Sequence, residues 1–428
     1  MKAGRVAVIG SGIAGLSAAW LLARKFDVTL YEAEGRLGGH THTVDVTVDG
    51  ITAPVDTGFL VFNERTYPNL IALFRHLGVA DAGSDMSFSV RIEPDGVEWA
   101  GTSVPALFAQ KSNLVRPEFW TMLRDILRFN SHSSDLVERG LLPTGSLGEF
   151  LDRGAYGPAF RDWYLLPMAA AIWSCPTQQM AAYPAATFLR FCHNHGLLQI
   201  NGRPKWRTVR GGGREYVRRL AAGLSDVRLA TPVRQIRRIA AGVEVDSDRG
   251  CERFDHAVLG CHSDQALQML SDADAGERCV LGSVRYQPNR VVLHTDEAFL
   301  PRSREAWASW NYASGEARAG MRPVSVSYWL NSLQPLPFKT PVIETLNPFR
   351  EPDPARVLAQ FEYSHPMFDA LAVEAQKRLP QIQGRRRTWF CGGWTAYGFH
   401  EDGLRSGLAV ANGLGVYAPW QREVELAA

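Results

Sequence analysis

The chain has 428 residues, 46% apolar and 21% charged, and its 46 basic and 44 acidic side chains leave a formal charge of +2. That length allows two to three domains and a large core, the composition excludes a disordered chain, and near-neutrality removes any global argument for nucleic-acid binding. Six cysteines (Cys175, Cys192, Cys251, Cys261, Cys279 and Cys391) are scattered without a C-x-x-C pair. They predict neither a disulfide framework nor a zinc site, and they fit a reducing, cytoplasmic compartment. Met1 to Gly10 shows no secretory pattern. No apolar run of about 18 residues suggests a spanning helix, so membrane contact is expected to be peripheral at most, at the inner face.

Arg5 to Ile9 is a short β-branched run suited to a buried parallel strand. Gly10-Ser11-Gly12-Ile13-Ala14-Gly15 follows at once, and Leu16, Ala19, Trp20 and Ala23 then recur at helical spacing. A second strand, Val28 to Tyr31, ends at Glu32, 17 residues beyond the last glycine. A G-x-G-x-x-G turn between strand and helix, with a downstream acid, predicts a dinucleotide site. Gly10 permits the turn, Gly12 admits a pyrophosphate and Gly15 lets the helix pack on the strand. The helix head offers N–H groups and a positive dipole end to the phosphates. Glu32 would accept hydrogen bonds from a ribose and repel a 2′-phosphate. No second such fingerprint occurs. Gly211-Gly212-Gly213 follows Trp206 to Arg210, a poor candidate for a buried strand, so a single dinucleotide is expected.

Ala33-Glu34-Gly35-Arg36-Leu37-Gly38-Gly39, continuing into His40, resembles the FAD fingerprint of the flavin amine oxidase, phytoene desaturase and protoporphyrinogen oxidase superfamily. Val55-Asp56-Thr57-Gly58-Phe59 resembles its D-x-G segment, and Thr231-Pro232-Val233 its mid-chain return, where the Val233 backbone would meet the adenine. Trp389 to Gly393 followed by Tyr397 to Gly407 resembles its closing motif, with Gly392, Gly393, Gly403 and Leu404 beside the flavin. The resemblance implies an α/β fold. A Rossmann-like, glutathione-reductase-type FAD domain would be assembled from 1–75, 205–285 and 380–428, with an α+β substrate domain from 76–204 and 286–379. The FAD would be non-covalent. More narrowly, His40 to Thr43, Phe62 to Pro68 and Gly398 to Gly403 resemble a bacterial branch associated with cyclopropane-fatty-acid-synthase-like methyltransferases. Some members of that branch desaturate modified acyl chains. Two departures weaken an amine substrate: Pro288 to His294 lacks the lysine that amine oxidases carry near the flavin, and Phe399 stands where one tyrosine of an amine cage would fall. A third departure, Trp394 in place of an acid, touches a cofactor contact.

Residues 76–204 read as mostly helical, with Leu165 to Trp173 strongly apolar, as a core helix or one wall of a lipophilic channel. Alternation at Val324 to Leu330 predicts strands in 286–379, and Pro335 to Pro354 reads as loop. Trp173, Trp310, Tyr328 and Phe399 are candidates for a substrate pocket or for ordinary aromatic packing. His400 and Glu401 are candidates for the base that accompanies hydride loss, or for holding the turn of the closing motif. His193 and His195 are too isolated from other ligand types for a metal, and none is expected. Arg234, Arg237 and Arg238 form a candidate patch for lipid headgroups, or a solvated face. The expected activity is FAD-dependent removal of hydride from a lipophilic substrate, above all an unsaturated acyl chain, with oxygen or a quinone as acceptor. The alternatives are an amine oxidase yielding imine and peroxide, and a flavin-binding partner protein without turnover.

Overall fold

The structure, a computed structural model, describes residues 2–173, 177–199, 202–316 and 322–421. Cys175 lies outside these residues; the other five cysteines are free thiols.

The opening strand, Arg5–Ile9, sits at the centre of a five-stranded parallel sheet. Across the sheet run Asp226–Arg228, Asp27–Tyr31, Arg5–Ile9, His256–Leu259 and Thr388–Phe390. Ala7 pairs with Thr29 on one side and Ala257 on the other. Five strands from four distant parts of the chain therefore meet with their carboxyl ends on one edge, where an open α/β sheet holds its ligand. The opening helix, Ile13–Leu22, is buried on nearly every face, because the closing helix, His400–Gly413, lies against it. Gly407 makes that contact possible, since a Cβ there would stand 2.3 Å from the Ala14 carbonyl oxygen.

A second, seven-stranded sheet runs 357–367, 285–294, 343–346, 324–329, 310–314, 88–92 and 97–100. Its pairings are antiparallel except that of Trp310–Ser314 with Phe88–Ile92. One face carries Asn289, Val291 and Leu293, then Glu344 and Leu346, then Val326 and Tyr328, then Trp310 and Tyr312, by the register of the pairs. The helices between residues 117 and 194 cover that face and share its hydrophobic core. The apolar run from 165 to 173 is helical, entered through a π-helical turn at Arg161–Leu165.

Three expectations change. The stretch 76–204 is not only helical: Phe88–Ile92 and Val97–Ala100 form a hairpin at the edge of the large sheet. The stretch 335–354 is not all loop, because Ile343–Leu346, four residues between Pro341 and Pro348, pairs on both sides. Trp206–Val209 is a strand, but in a small antiparallel sheet between Phe62–Asn63 and Asp81–Ser84.

Candidate active site

Two helix heads converge at the carboxyl edge of the parallel sheet. The first turn of the closing helix lies on that of the opening helix, where a Cβ on Gly403 would stand 2.9 Å from Ile13. Ile13, Ala14 and Leu404 are buried in this contact. The unpaired N–H groups and positive ends of both helices therefore face one crevice. At Gly15 a Cβ would approach the Gly10 carbonyl to 2.0 Å, so the helix sits on its strand without room for a side chain. At Gly12 nothing stands within 4 Å of a built Cβ, which leaves bare backbone open to a phosphate. Gly38 bridges to Gly12, and Gly39 comes within 3.0 Å of the Gly12 Cα by the same measure, so Gly38 and Gly39 form the second wall. Glu32 is held at the end of its strand by the N–H groups of Ser11 and Glu34, both at 2.9 Å, with Ala33 exposed beside it. Gly392 donates its N–H to Ser406 Oγ at 2.8 Å, tying the Gly392-Gly393 pair to the closing helix. Val233 is half-buried at the start of its strand, and Trp394 is buried. These residues fit an elongated anionic nucleotide: open backbone at Gly12, two helix heads and an acid at the ribose end.

Next to the glycine walls lies a group of imidazoles and phenols that the sequence did not reveal. The His40 ring lies 5.3 Å from that of His365, 5.6 Å from Tyr363 and 6.1 Å from His262. Burial and the neighbouring imidazoles hold His40 well below its usual pKa, and its Nε2 has no hydrogen-bond partner. His365 Nδ1 lies 2.9 Å from the amide nitrogen of Asn289, which also donates to the Gln287 carbonyl. The His365 lone pair thus points at Asn289, and its proton resides on Nε2. The Tyr363 hydroxyl meets Thr57 Oγ1 and His42 Nδ1, both at 2.7 Å. Gly58 follows with no room for a side chain, since its Cβ would stand 2.0 Å from the His40 carbonyl. The large sheet is thereby tied to the cradle through Thr57.

His400 and Glu401 sit behind this surface. His400 Nε2 lies 2.9 Å from both Thr41 Oγ1 and Tyr216 OH, and Phe59 stacks on the ring at 3.7 Å. Burial pushes its pKa down to about 3. The Glu401 carboxylate accepts from the backbone N–H of Asn69 (3.0 Å) and Leu70 (2.9 Å) and from Asn69 Nδ2 (2.8 Å). It caps the head of the helix Pro68–Leu77.

The four aromatic candidates fall into two groups. Trp173 packs on Phe191 at 4.6 Å, and Phe191 stacks on Phe399 at 5.2 Å. Trp310 meets Tyr328 edge-on at 4.8 Å on the inner face of the large sheet. Glu344 stands directly opposite Tyr328 on that face. Burial, with Asp56 nearby, holds its carboxyl well above the usual range, and Oε2 has no partner. Asp56, pushed up to about 6 by burial, receives the Gly213 N–H at 2.9 Å, which gives the three-glycine turn a structural use. His195 stacks on Phe191 at 4.0 Å and contacts its carbonyl. Among the described residues no group of three or more His, Cys, Asp or Glu is placed to hold a metal. The arginine patch is not free: Arg234 pairs with Asp248, Arg237 with Glu244, and Arg238 with Glu277 and Asp272. Its charge is spent on neighbouring carboxylates.

Comparison with known proteins agrees with this geometry. The family model for flavin containing amine oxidoreductases matches residues 13–414. The carotenoid phi-ring synthase of Streptomyces griseus is 29% identical over 337 residues, 70% of this chain and 62% of that protein. The hydroxyneurosporene desaturase of Rubrivivax gelatinosus is 40% identical over 98 residues, 23% of this chain and 17% of its own. The chain thus spans less than two thirds of the length of these curated relatives. The fatty acid isomerase of P. acnes that produces CLA shares the fold, with a TM-score of 0.68 at 17% identity over 97% of this chain and all of that one. So does cyclohexylamine oxidase from Brevibacterium oxydans, with a TM-score of 0.66 at 15% identity over 96% and 99%. The family match takes in both helices, the Gly38-Gly39 wall and four of the five strands of the parallel sheet, so the chain belongs to the flavin containing amine oxidoreductase family and its cofactor is FAD.

Proposed function

We propose that the protein is an FAD-dependent dehydrogenase or desaturase of a lipophilic substrate, above all an unsaturated or modified acyl chain. The observation that carries this reading is the inner face of the seven-stranded sheet. Val291, Leu293, Leu346, Val326, Tyr328, Trp310 and Tyr312 line it, and burial disfavours charge on Glu344 beside them. No lysine interrupts Pro288 to His294. An apolar chain loses little on entering such a face, whereas an ammonium group would be stripped of water without a charged partner. Similarity to a carotenoid phi-ring synthase and a hydroxyneurosporene desaturase fits a lipophilic substrate as well.

When bound, the flavin supplies a two-electron acceptor, with oxygen or a quinone as the final sink. The chain supplies the rest. The paired helix heads stabilise negative charge in the crevice. His40 Nε2, neutral and without a protein partner, is the atom we assign to take the proton that leaves beside the hydride. His365 stands next to it with its own tautomer fixed by Asn289. His400 and Glu401 hold the cradle in shape and do not titrate with the reaction. The aromatic pair Trp310 and Tyr328 and the group Trp173, Phe191 and Phe399 shape the space the substrate occupies and keep water out of it.

The test is anaerobic addition of unsaturated phospholipid or its free acyl chains to the yellow protein. Bleaching of the visible flavin band, with a double bond gained in the lipid, supports the reading. A flavin that bleaches with amines and not with any acyl lipid overturns it.

A further inference from the structure

Four of the large apolar side chains that stand exposed lie within one short stretch of the helical cover: Val104 (69% exposed), Leu114 (50%), Val115 (82%) and Trp120 (50%). They are contiguous in space as well as in sequence. The Phe108 amide lies 3.3 Å from the Val104 carbonyl, Phe108 packs on Trp120 at 5.4 Å, and Trp120 Nε1 donates to the Leu114 carbonyl at 3.0 Å. Leu127, two helical turns beyond Trp120, extends the exposed row along Pro117–Glu138.

The segment is not loose. It is pinned along the outer edge of Val97–Ala100, the last strand of the large sheet. Gln110 Oε1 accepts from the Glu98 N–H, Gln110 Nε2 donates to the Gly96 carbonyl at 2.7 Å, and Asn113 Nδ2 donates to the Glu98 carbonyl at 2.9 Å. Arg116 donates to the Asp95 carbonyl at 3.1 Å. Gln110 and Asn113 thus satisfy a bare strand edge, Ala106, Leu107 and Phe108 pack inward, and Val104, Leu114, Val115 and Trp120 are left facing outward. Beside the apolar tips Lys111 and Arg124 are exposed against the exposed acid Glu118; Arg124 also lies 3.7 Å from the buried Asp125, and Arg116 is half-buried on the Asp95 carbonyl.

We propose that this surface docks the protein on a membrane containing anionic phospholipid, with Val104, Leu114, Val115 and Trp120 entering the interface and the exposed Lys111 and Arg124 meeting the headgroups. Apolar tips backed by cations suit that boundary, and an indole with its N–H already satisfied enters it readily. Each basic side chain adds attraction that salt screens. The inference goes beyond the activity proposed above, and its test does not depend on which substrate is turned over.

The test is co-sedimentation of the full flavin-loaded chain with phosphatidylglycerol-containing phosphatidylcholine vesicles and with pure phosphatidylcholine vesicles. Binding to the first, weakened by salt and weaker on the second, is expected. Leu114→Glu/Val115→Glu should reduce it at least about tenfold, since two buried aliphatic side chains are each worth more than one such factor. The equally exposed Leu371→Glu should leave it unchanged. All these side chains are exposed, and retention of flavin colour reports that the variants fold. Three results would overturn the proposal: a wild-type chain that stays in solution with phosphatidylglycerol vesicles, a double variant that binds as well as wild type, or a double variant whose only change is dissociation of a dimer.

Discussion

Replacing Glu401 by alanine separates its two readings, base or helix cap. The carboxylate receives two backbone N–H groups and one amide N–H, all within 3.0 Å, at the head of a ten-residue helix. Truncation leaves the first turn without its acceptor, and the Leu70 N–H has none to replace it. Loss of a cap costs about 0.5–2 kcal/mol, and a buried donor left unpaired about 1–3 kcal/mol. Burial of the carboxyl, which raises its pKa, returns part of that, so a net loss of about 2–3 kcal/mol is expected. For a unit of this size each kcal/mol moves the melting temperature by roughly 2–4 °C, giving a fall of about 5–10 °C in the transition that includes Pro68–Leu77. Glu401→Gln keeps one carbonyl oxygen and should recover roughly half of that loss. Thermal denaturation by circular dichroism reads the stability, and the rate of flavin bleaching per folded molecule reads the chemistry. A Glu401→Ala protein that melts with the wild type yet no longer bleaches would show that the carboxylate works on substrate and that the capping argument is wrong.

Gly12→Ala and Gly15→Ala should part company. The first places a methyl in open space and should leave the thermal transition of the flavin-free protein within about 0.5 kcal/mol while lowering flavin content. The second drives a methyl against the Gly10 carbonyl and should cost about 1–3 kcal/mol before any cofactor is added; equal melting of the two would sink the packing argument. Acid should destabilise the protein. His42, His195, His294 and His365 are held at about 4, and His400 at about 3, chiefly by burial. Unfolded imidazoles charge near 6.5, so between about pH 6.5 and 4 unfolding takes up protons at these sites and stability falls with pH. Asp56 and Asp402, raised to about 6, act the other way between about pH 6 and 4, and they are outnumbered. Melting temperature should therefore drop steadily from pH 7 to pH 5, and a flat or rising profile would contradict the burial argument. His40→Gln should slow anaerobic bleaching by at least about tenfold and flatten its dependence on pH; an unchanged pH profile would remove His40 as the proton acceptor.

The cradle was legible where its logic is local. A turn, a helix head and an acid at the end of the next strand lie within residues 5–32, and each has its own sequence signature. The closing motif could be placed because Trp389 to Gly393 and Tyr397 to Gly407 resemble that of the family. The polar group around His40 was not legible, because His262, Tyr363 and His365 arrive from strands and loops more than two hundred residues away. Alternation marks which sheet face a residue occupies, but not which other sheet's edge it meets. The strand Ile343–Leu346 was hidden by flanking prolines that lie just outside its pairing. Arg234, Arg237 and Arg238 looked like a patch because their partners come from separate segments. The outward apolar row near Val115 read as ordinary helix, since exposure is decided by what the rest of the chain leaves uncovered.

Gly407 has a consequence for how the protein is made. The helix that completes the crevice is translated almost four hundred residues after the one it leans on, and Thr388–Phe390, an edge strand of the central sheet, emerges only slightly earlier. A nascent chain on the ribosome can build the first strand, turn and helix, yet must carry a naked apolar helix flank until residues 400–413 have been made. Loading of the yellow prosthetic group therefore waits for that helix, and translation products truncated before it should be colourless clients of chaperones.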